Sequence, residues 1–295
     1  MKKIIIICTS AGITLALLGL IFGTHWGIYA DATGFHITPK AMTEFTESFT
    51  DVRAIDTRLD NSKLIIRQGE RFEVSGKYLI EKPDVYVDES GTLILTSFDN
   101  ISWFNIGFSW HGEITITVPP QSDALLTHLN VLGNNGRIDI SDVNVETDLT
   151  VNNDNGAITL DNATVGGNVD VRNKNGSISL ATIANAKKIR VENNNGMITL
   201  SSVQGENIDV KNDNGKITLE MATGKINVDN DNGSIEASLI NLMSEYYVMA
   251  RTQNGSIRVN NYSRGNYAEF GEKDYPYSFK ATNNNGSIKL WEVVE

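Results

Sequence analysis

The sequence predicts an all-β chain, a parallel β-solenoid (β-helix) of about 20 residues per coil, preceded by one N-terminal transmembrane helix. Three observations predict it. An Asn-Gly pair recurs eight times between apolar runs, as in VNNDNGAITL from Val151, VRNKNGSISL from Val171, VENNNGMITL from Val191 and VKNDNGKITL from Val210. Apolar and polar residues alternate on both sides of each pair, which is the period of a half-buried strand. Finally, residues 4–23, IIIICTSAGITLALLGLIFG, carry no charge.

As a helix, that uncharged run would span the roughly 30 Å hydrocarbon core of a bilayer. Lys2 and Lys3 precede it and Asp31 is the first charge after it. The positive-inside rule therefore keeps the N-terminus cytoplasmic and places the chain from about Thr24 onward outside. His25, Trp26 and Tyr29 fall where amphipathic rings favour the outer interface. Ala30-Asp31-Ala32 also fits a signal-peptide cleavage site, but the apolar run exceeds the length of a signal h-region. Either reading exports residues 33–295, and the anchored one makes the chain a single-pass cell-membrane protein with its C-terminal domain extracytoplasmic. Its only cysteine, Cys8, lies in the same run, so the exported part has neither a disulfide nor a thiolate metal site. The expected layout begins with a cytoplasmic stub and anchor over 1–30 and a linker over 31–50.

Residues 51–130 lack the Asn-Gly beat but alternate in the same way, in RLDNSKLIIRQG, RFEVSGKYLI, DVYVDESGTLILTSF and EITITVPP. Turn signals stand at Gly69, Gly76, Pro83 and Gly91. This segment reads as an irregular β cap or first coils, since an open solenoid end would expose unpaired strand edges.

The regular repeat occupies 131–295. Its Asn-Gly asparagines are Asn135, Asn155, Asn175, Asn195, Asn214, Asn232, Asn254 and Asn285, spaced 20, 20, 20, 19, 18, 22 and 31 apart. The third residue after each is isoleucine in all eight copies, from Ile138 to Ile288. The paired glycines are Gly136, Gly156, Gly176, Gly196, Gly215, Gly233, Gly255 and Gly286, which suits a positive-φ turn disfavoured by a Cβ. An Asn-Gly pair fits either an antiparallel hairpin or the corner of a parallel coil. The residue two before each turn asparagine favours the coil. It is Asn153, Asn173, Asn193, Asn212, Asn230 and Asn283, with Gly133 and Thr252 as the exceptions, phased inward, where stacked coils would let the amides hydrogen-bond along the axis as a structural ladder. Gly166-Gly167, Gly205 and Gly224 suggest a second corner per coil and hence a flattened cross-section.

Little chemistry is legible. The net charge is −11 with no Lys/Arg-rich run, so the electrostatic footprint of a nucleic-acid partner is missing. The four histidines are scattered, and no nucleophile elbow, P-loop or dinucleotide fingerprint occurs. VDNDNGSIEASL imitates a calcium loop, but Val228 and Leu239 stand where its first and last carboxylates belong. Asp213 and Asp231 would stack at neighbouring turn tips, as solvated carboxylates on an acidic surface. No cofactor, metal or catalytic residue is expected. A polysaccharide-acting enzyme of the β-helix type is the alternative, and it requires a groove of converging ionisable groups. The outward column Asp139, Thr159, Ser179, Thr199, Thr218, Glu236 and Arg258 carries no such cluster. Asn-Gly-Ser at Asn175, Asn232, Asn254 and Asn285 matches the glycosylation sequon, which the turn itself explains.

Two aromatic stretches interrupt the pattern. One is FDNISWFNIGFSWH, with Phe98, Trp103, Phe104, Phe108 and Trp110; the other is a tyrosine-rich insert at 262–280. Both suit end caps. The second also mixes rings with charge, and Tyr267, Tyr275 and Tyr277 are the candidate contacts to an envelope polymer or another membrane protein.

ITITVPP (Ile114–Pro120), LDNSKLIIRQGERFEVSG (Leu59–Gly76) and the serial xNGxIxL units together resemble the bacterial "putative adhesin" family, membrane-anchored β-strand-repeat domains of unknown function. The likeness covers about residues 50–291. It implies a β-solenoid outside the membrane, at times encoded with Lia-type envelope-stress proteins, and carries no established catalytic residues to transfer. The expected role is non-enzymatic: adhesion, binding or envelope-stress signalling at the cell surface.

Overall fold

The computed structural model describes residues 28–31, 34–37, 42–78, 82–97, 104–106, 112–120 and 125–293, with backbone alone for 28–31, 34–37 and 104–106. The apolar run 4–23, Cys8 and most of the 98–111 aromatic stretch lie outside them. Among the described residues no helix is long and apolar enough to cross a membrane.

The chain is all-β, and its repeats stack in parallel register. Leu149–Asn155 pairs with Leu129–Asn135 on one side and Asn168–Asn175 on the other, and Ile158–Val165 pairs with Ile138–Val145 and the following coil. Each asparagine of the turn thus sits over its counterpart. The alternation explains the core: Val151, Ile158 and Leu160 and their equivalents are fully buried and touch along the axis. Burial of about 25 cal/mol per Å² of apolar surface is shared between adjacent coils, so no repeat holds its own core.

Each coil has three straight faces rather than the two that a flattened cross-section requires. After the Asn-Gly corner the burial alternation of Ile158–Val165 slips at Asp161 and Asn162, and Asn162 takes φ 51°. Asp142, Thr182, Ser202 and Met221 occupy the same place with φ of 53–56°. None is glycine, so this corner leaves no compositional mark. The glycine corner closes the coil.

The glycines of the Asn-Gly corner are explained more by close approach than by φ. Seven have positive φ and Gly255 does not. At all eight, however, an added Cβ would lie 1.6–2.1 Å from a backbone carbonyl oxygen of the neighbouring coil, as at Gly196, 2.0 Å from Gly176 O.

The stack does not follow sequence order at its ends. Tyr277–Asn285 pairs with both Thr223–Asn232 and Tyr246–Asn254, so the Asn285 coil is inserted between the Asn232 and Asn254 coils. At the other end Ala54–Leu59 and Ser62–Gln68 form a coil directly beneath the Asn135 coil, with Asp60-Asn61-Ser62 as its corner. Thr92–Ser97 and Gly112–Val118 lie outside that coil, again in parallel. Antiparallel strands then close the exposed edges: Asp84–Val87, and Phe72–Tyr78 with Thr43–Phe49, at this end, and Tyr262–Ser263 and Tyr267–Phe270 at the other. The stretch read as a linker over 31–50 therefore contains an edge strand. A separate small sheet pairs Ile28–Asp31 with Gly34–Ile37 and with Phe104–Ile106.

Candidate binding surface

The Asn-Gly corner carries three columns of side chains with different environments. The inward six, Asn153, Asn173, Asn193, Asn212, Asn230 and Asn283, are buried. They do not bond to one another, which corrects the expected inner ladder. Each Nδ2 donates instead to the corner-glycine carbonyl of the preceding coil at 2.8–3.2 Å, as Asn193 does to Gly176 O at 2.8 Å. Their Oδ1 atoms are buried without a partner among the described residues. Amide-to-amide bonding occurs in the exposed column of the turn asparagines themselves. Asn135 donates to Asn61, Asn155 to Asn135, and so on to Asn254, which donates to Asn285, at 2.7–3.1 Å throughout. The alternation gave the phase of the inner column but not the carbonyl that the glycine corner turns toward it. The third column is the turn tip, where Asp231 accepts from Asn284 at 2.7 Å.

Charges on the outward faces are paired between coils. Lys216 and Lys289 flank Glu236 at 2.6 and 3.1 Å, Lys188 meets Asp209 at 3.0 Å, and Lys174 meets Asp154 at 2.8 Å. The hydrogen bond from Lys216, reinforced by Lys289, holds the Glu236 carboxyl below its ordinary range. Asp209 is also lowered: the burial that would raise it is outweighed by hydrogen bonds from Asn227 and Lys188. Among the described residues no group of three His, Cys, Asp or Glu side chains converges to hold a metal.

The tyrosine-rich insert folds back as two antiparallel strands over the last coil, so it covers the end of the stack. The three candidate tyrosines are not equivalent there. Tyr277 is half-buried with its ring 5.2 Å from that of Tyr246, which is itself fully buried and donates to Ala222 O at 3.0 Å. Tyr277 thus packs partly into the cap, against the core. Tyr275 is half-buried, its backbone N–H donating to Glu272 O at 3.1 Å. Tyr267 is exposed, and its hydroxyl donates to Glu269. Tyr247 donates to the other oxygen of Glu269 at 2.6 Å, and these two bonds hold that carboxyl low. Tyr262, 72% exposed, stands on the neighbouring edge strand. The exposed group is therefore Tyr262, Tyr267 and Glu269, with the half-buried Tyr247 beside them. Sequence alternation could not find Tyr247 and Glu269, because they meet only through the antiparallel return of the insert.

A family model described as Toastrack DUF4097 matches residues 52–290. Among solved structures, the chain is similar to a "putative adhesin" from Bacteroides fragilis NCTC 9343, at 14% identity, covering 85% of this chain and 98% of that one with a TM-score of 0.47. Another of that description from Parabacteroides distasonis ATCC 8503 shows 14% identity, coverage of 86% and 97%, and a TM-score of 0.48. A "Putative lipid binding protein" from the same organism shows 13% identity, coverage of 86% and 98%, and a TM-score of 0.35. No curated protein matches the chain.

Proposed function

The chain belongs to the Toastrack DUF4097 family, and from that premise we propose that it is a membrane-anchored, extracytoplasmic solenoid that binds an envelope polymer without catalysing its cleavage. Residues 4–23 act as the anchor and the solenoid presents its far end to the cell envelope. The observation that carries the reading is the exposed Tyr262 and Tyr267 beside the Tyr247–Glu269 pair on the last coil. Rings give contact area at low entropic cost and stack on sugar faces, while a carboxylate with spare lone pairs accepts from hydroxyls. Binding rather than hydrolysis is supported by the outward faces, where carboxylates are tied to lysines of neighbouring coils, as Glu236 is to Lys216 and Lys289 and Asp209 to Lys188.

The test is retention of the detergent-solubilised full chain on purified cell-wall polymer. Replacing Tyr262 and Tyr267 with Ser should abolish retention while leaving the unfolding midpoint in place. Undiminished retention would refute this surface.

A further inference from the structure

The eight Asn-Gly pairs are chemically vulnerable, because a backbone nitrogen followed by no side chain can reach the preceding amide carbon. In the stack seven of them are locked twice. The glycine N–H donates to the turn-asparagine carbonyl of the next coil: Gly136 to Asn155, Gly156 to Asn175, Gly176 to Asn195, Gly196 to Asn214, Gly215 to Asn232, Gly233 to Asn285 and Gly286 to Asn254, at 2.8–3.0 Å. The asparagine side chain of the same seven is also held from both sides, giving through Nδ2 to one neighbour and receiving at Oδ1 from the other. A nitrogen engaged as donor is a poor nucleophile, and an amide fixed at both ends cannot rotate to meet it.

Asn254 is the exception, because no coil lies beyond it. Among the described residues the Gly255 N–H has no acceptor and the Asn254 Oδ1 no donor, leaving only the bond from Asn254 Nδ2 to Asn285 at 2.9 Å. Both residues are exposed. We propose that Asn254 is the site at which the folded protein deamidates. The Gly255 nitrogen loses its proton and attacks Asn254 Cγ, forming the ring C–N bond. The Cγ–Nδ2 bond breaks and ammonia leaves with that proton. One water then opens the succinimide at either carbonyl, giving aspartate or isoaspartate at 254, and no oxidant or cofactor is consumed. Either product replaces a donor by a carboxylate and so breaks the terminal rung to Asn285, next to the Tyr267 surface.

The sequence supplies its own controls. Asn175, Asn232 and Asn285 share the Asn-Gly-Ser context of Asn254, so local sequence is equal at the four sites. The full chain in detergent is aged at mildly alkaline pH, folded and in denaturant, then digested, and each peptide is scored by mass spectrometry for conversion of amide to acid and for isoaspartate. In the folded protein conversion at Asn254 should exceed that at Asn175, Asn232 and Asn285 by at least about tenfold, the factor that about 1.4 kcal/mol of protection gives. In denaturant the four should convert at similar rates. Even conversion of the four in the folded protein overturns the inference, as does a preference for Asn254 that persists undiminished in denaturant.

Discussion

Replacing Gly196 with Ala tests the claim that carbonyl contact, beyond φ, fixes the corner glycine. The new Cβ would lie 2.0 Å from Gly176 O and 2.7 Å from Gly176 C, where contacts below 3.0 Å essentially never occur. Both atoms belong to backbone and cannot swing aside, so the Asn175 and Asn195 coils must part by about 1 Å at this corner. Besides the exposed Asn195-to-Asn175 amide bond, three bonds cross the gap: Gly176 N–H to Asn195 O at 2.9 Å, Ile178 N–H to Met197 O at 2.9 Å, and Asn193 Nδ2 to Gly176 O at 2.8 Å. At about 1 kcal/mol each their loss costs about 3 kcal/mol. The left-handed backbone, φ 136°, adds about 1–2 kcal/mol, from which about 0.4–1 kcal/mol is regained through the stiffer unfolded chain. Gly265 is the control: its φ is 70° but nothing lies within 4 Å of its Cβ position, so Gly265→Ala carries the backbone terms alone. Chemical denaturation should therefore place Gly196→Ala about 3 kcal/mol below Gly265→Ala. A gap under about 1 kcal/mol would show that the corner is governed by φ and that the carbonyl contact is unimportant.

Asn193→Ala should cost about 1–2 kcal/mol, because the bond to Gly176 O goes but a buried, unpartnered Oδ1 goes with it; the exposed Asn194→Ala should stay within about 0.5 kcal/mol, and equal midpoints would remove the inner column's role. Glu236 has its folded-state value depressed by Lys216 and Lys289, so the unfolded chain takes up that proton first on acidification. Its contribution is present above the ordinary glutamate range and is lost as pH falls through the folded value; Glu236→Gln should flatten the acid limb of the stability–pH curve, and an unchanged limb would contradict the assignment. Protease added to intact protoplasts should remove the chain beyond about residue 33 and leave a short protected anchor, whereas protection of the whole chain would reverse the proposed topology.

The repeat was legible because its physics is local: alternation, an isoleucine three residues past each turn, and a glycine that tolerates no side chain. What escaped reading is what the third dimension supplies. The Asp60-Asn61-Ser62 corner adds another turn of the same column, yet with Ser62 in place of glycine it does not spell the motif. The left-handed corner at Asp142, Asn162, Thr182, Ser202 and Met221 has no shared residue type, since packing of the flanking faces imposes its backbone. The Tyr247–Glu269–Tyr267 group depends on which way an insert folds back, and Tyr277 looks no different from Tyr267 until Tyr246 is found beneath it. Coil order was also hidden, because repeats of one pattern can seat on one another in any sequence.

That exchange of places bears on how the molecule carries load. In a solenoid stacked in chain order the outermost coil is also the last, and tension on the chain beyond it peels that coil away one hydrogen bond at a time. Here Tyr277–Asn285 is bonded along both edges, to Thr223–Asn232 and to Tyr246–Asn254. A pull on Ile288–Val293 must first break its ladders with Ile235–Ile240 and Ile257–Val259, and is then met at Tyr277–Asn285 by a ladder on each edge. The fold places a clamp where a simple spiral would unzip.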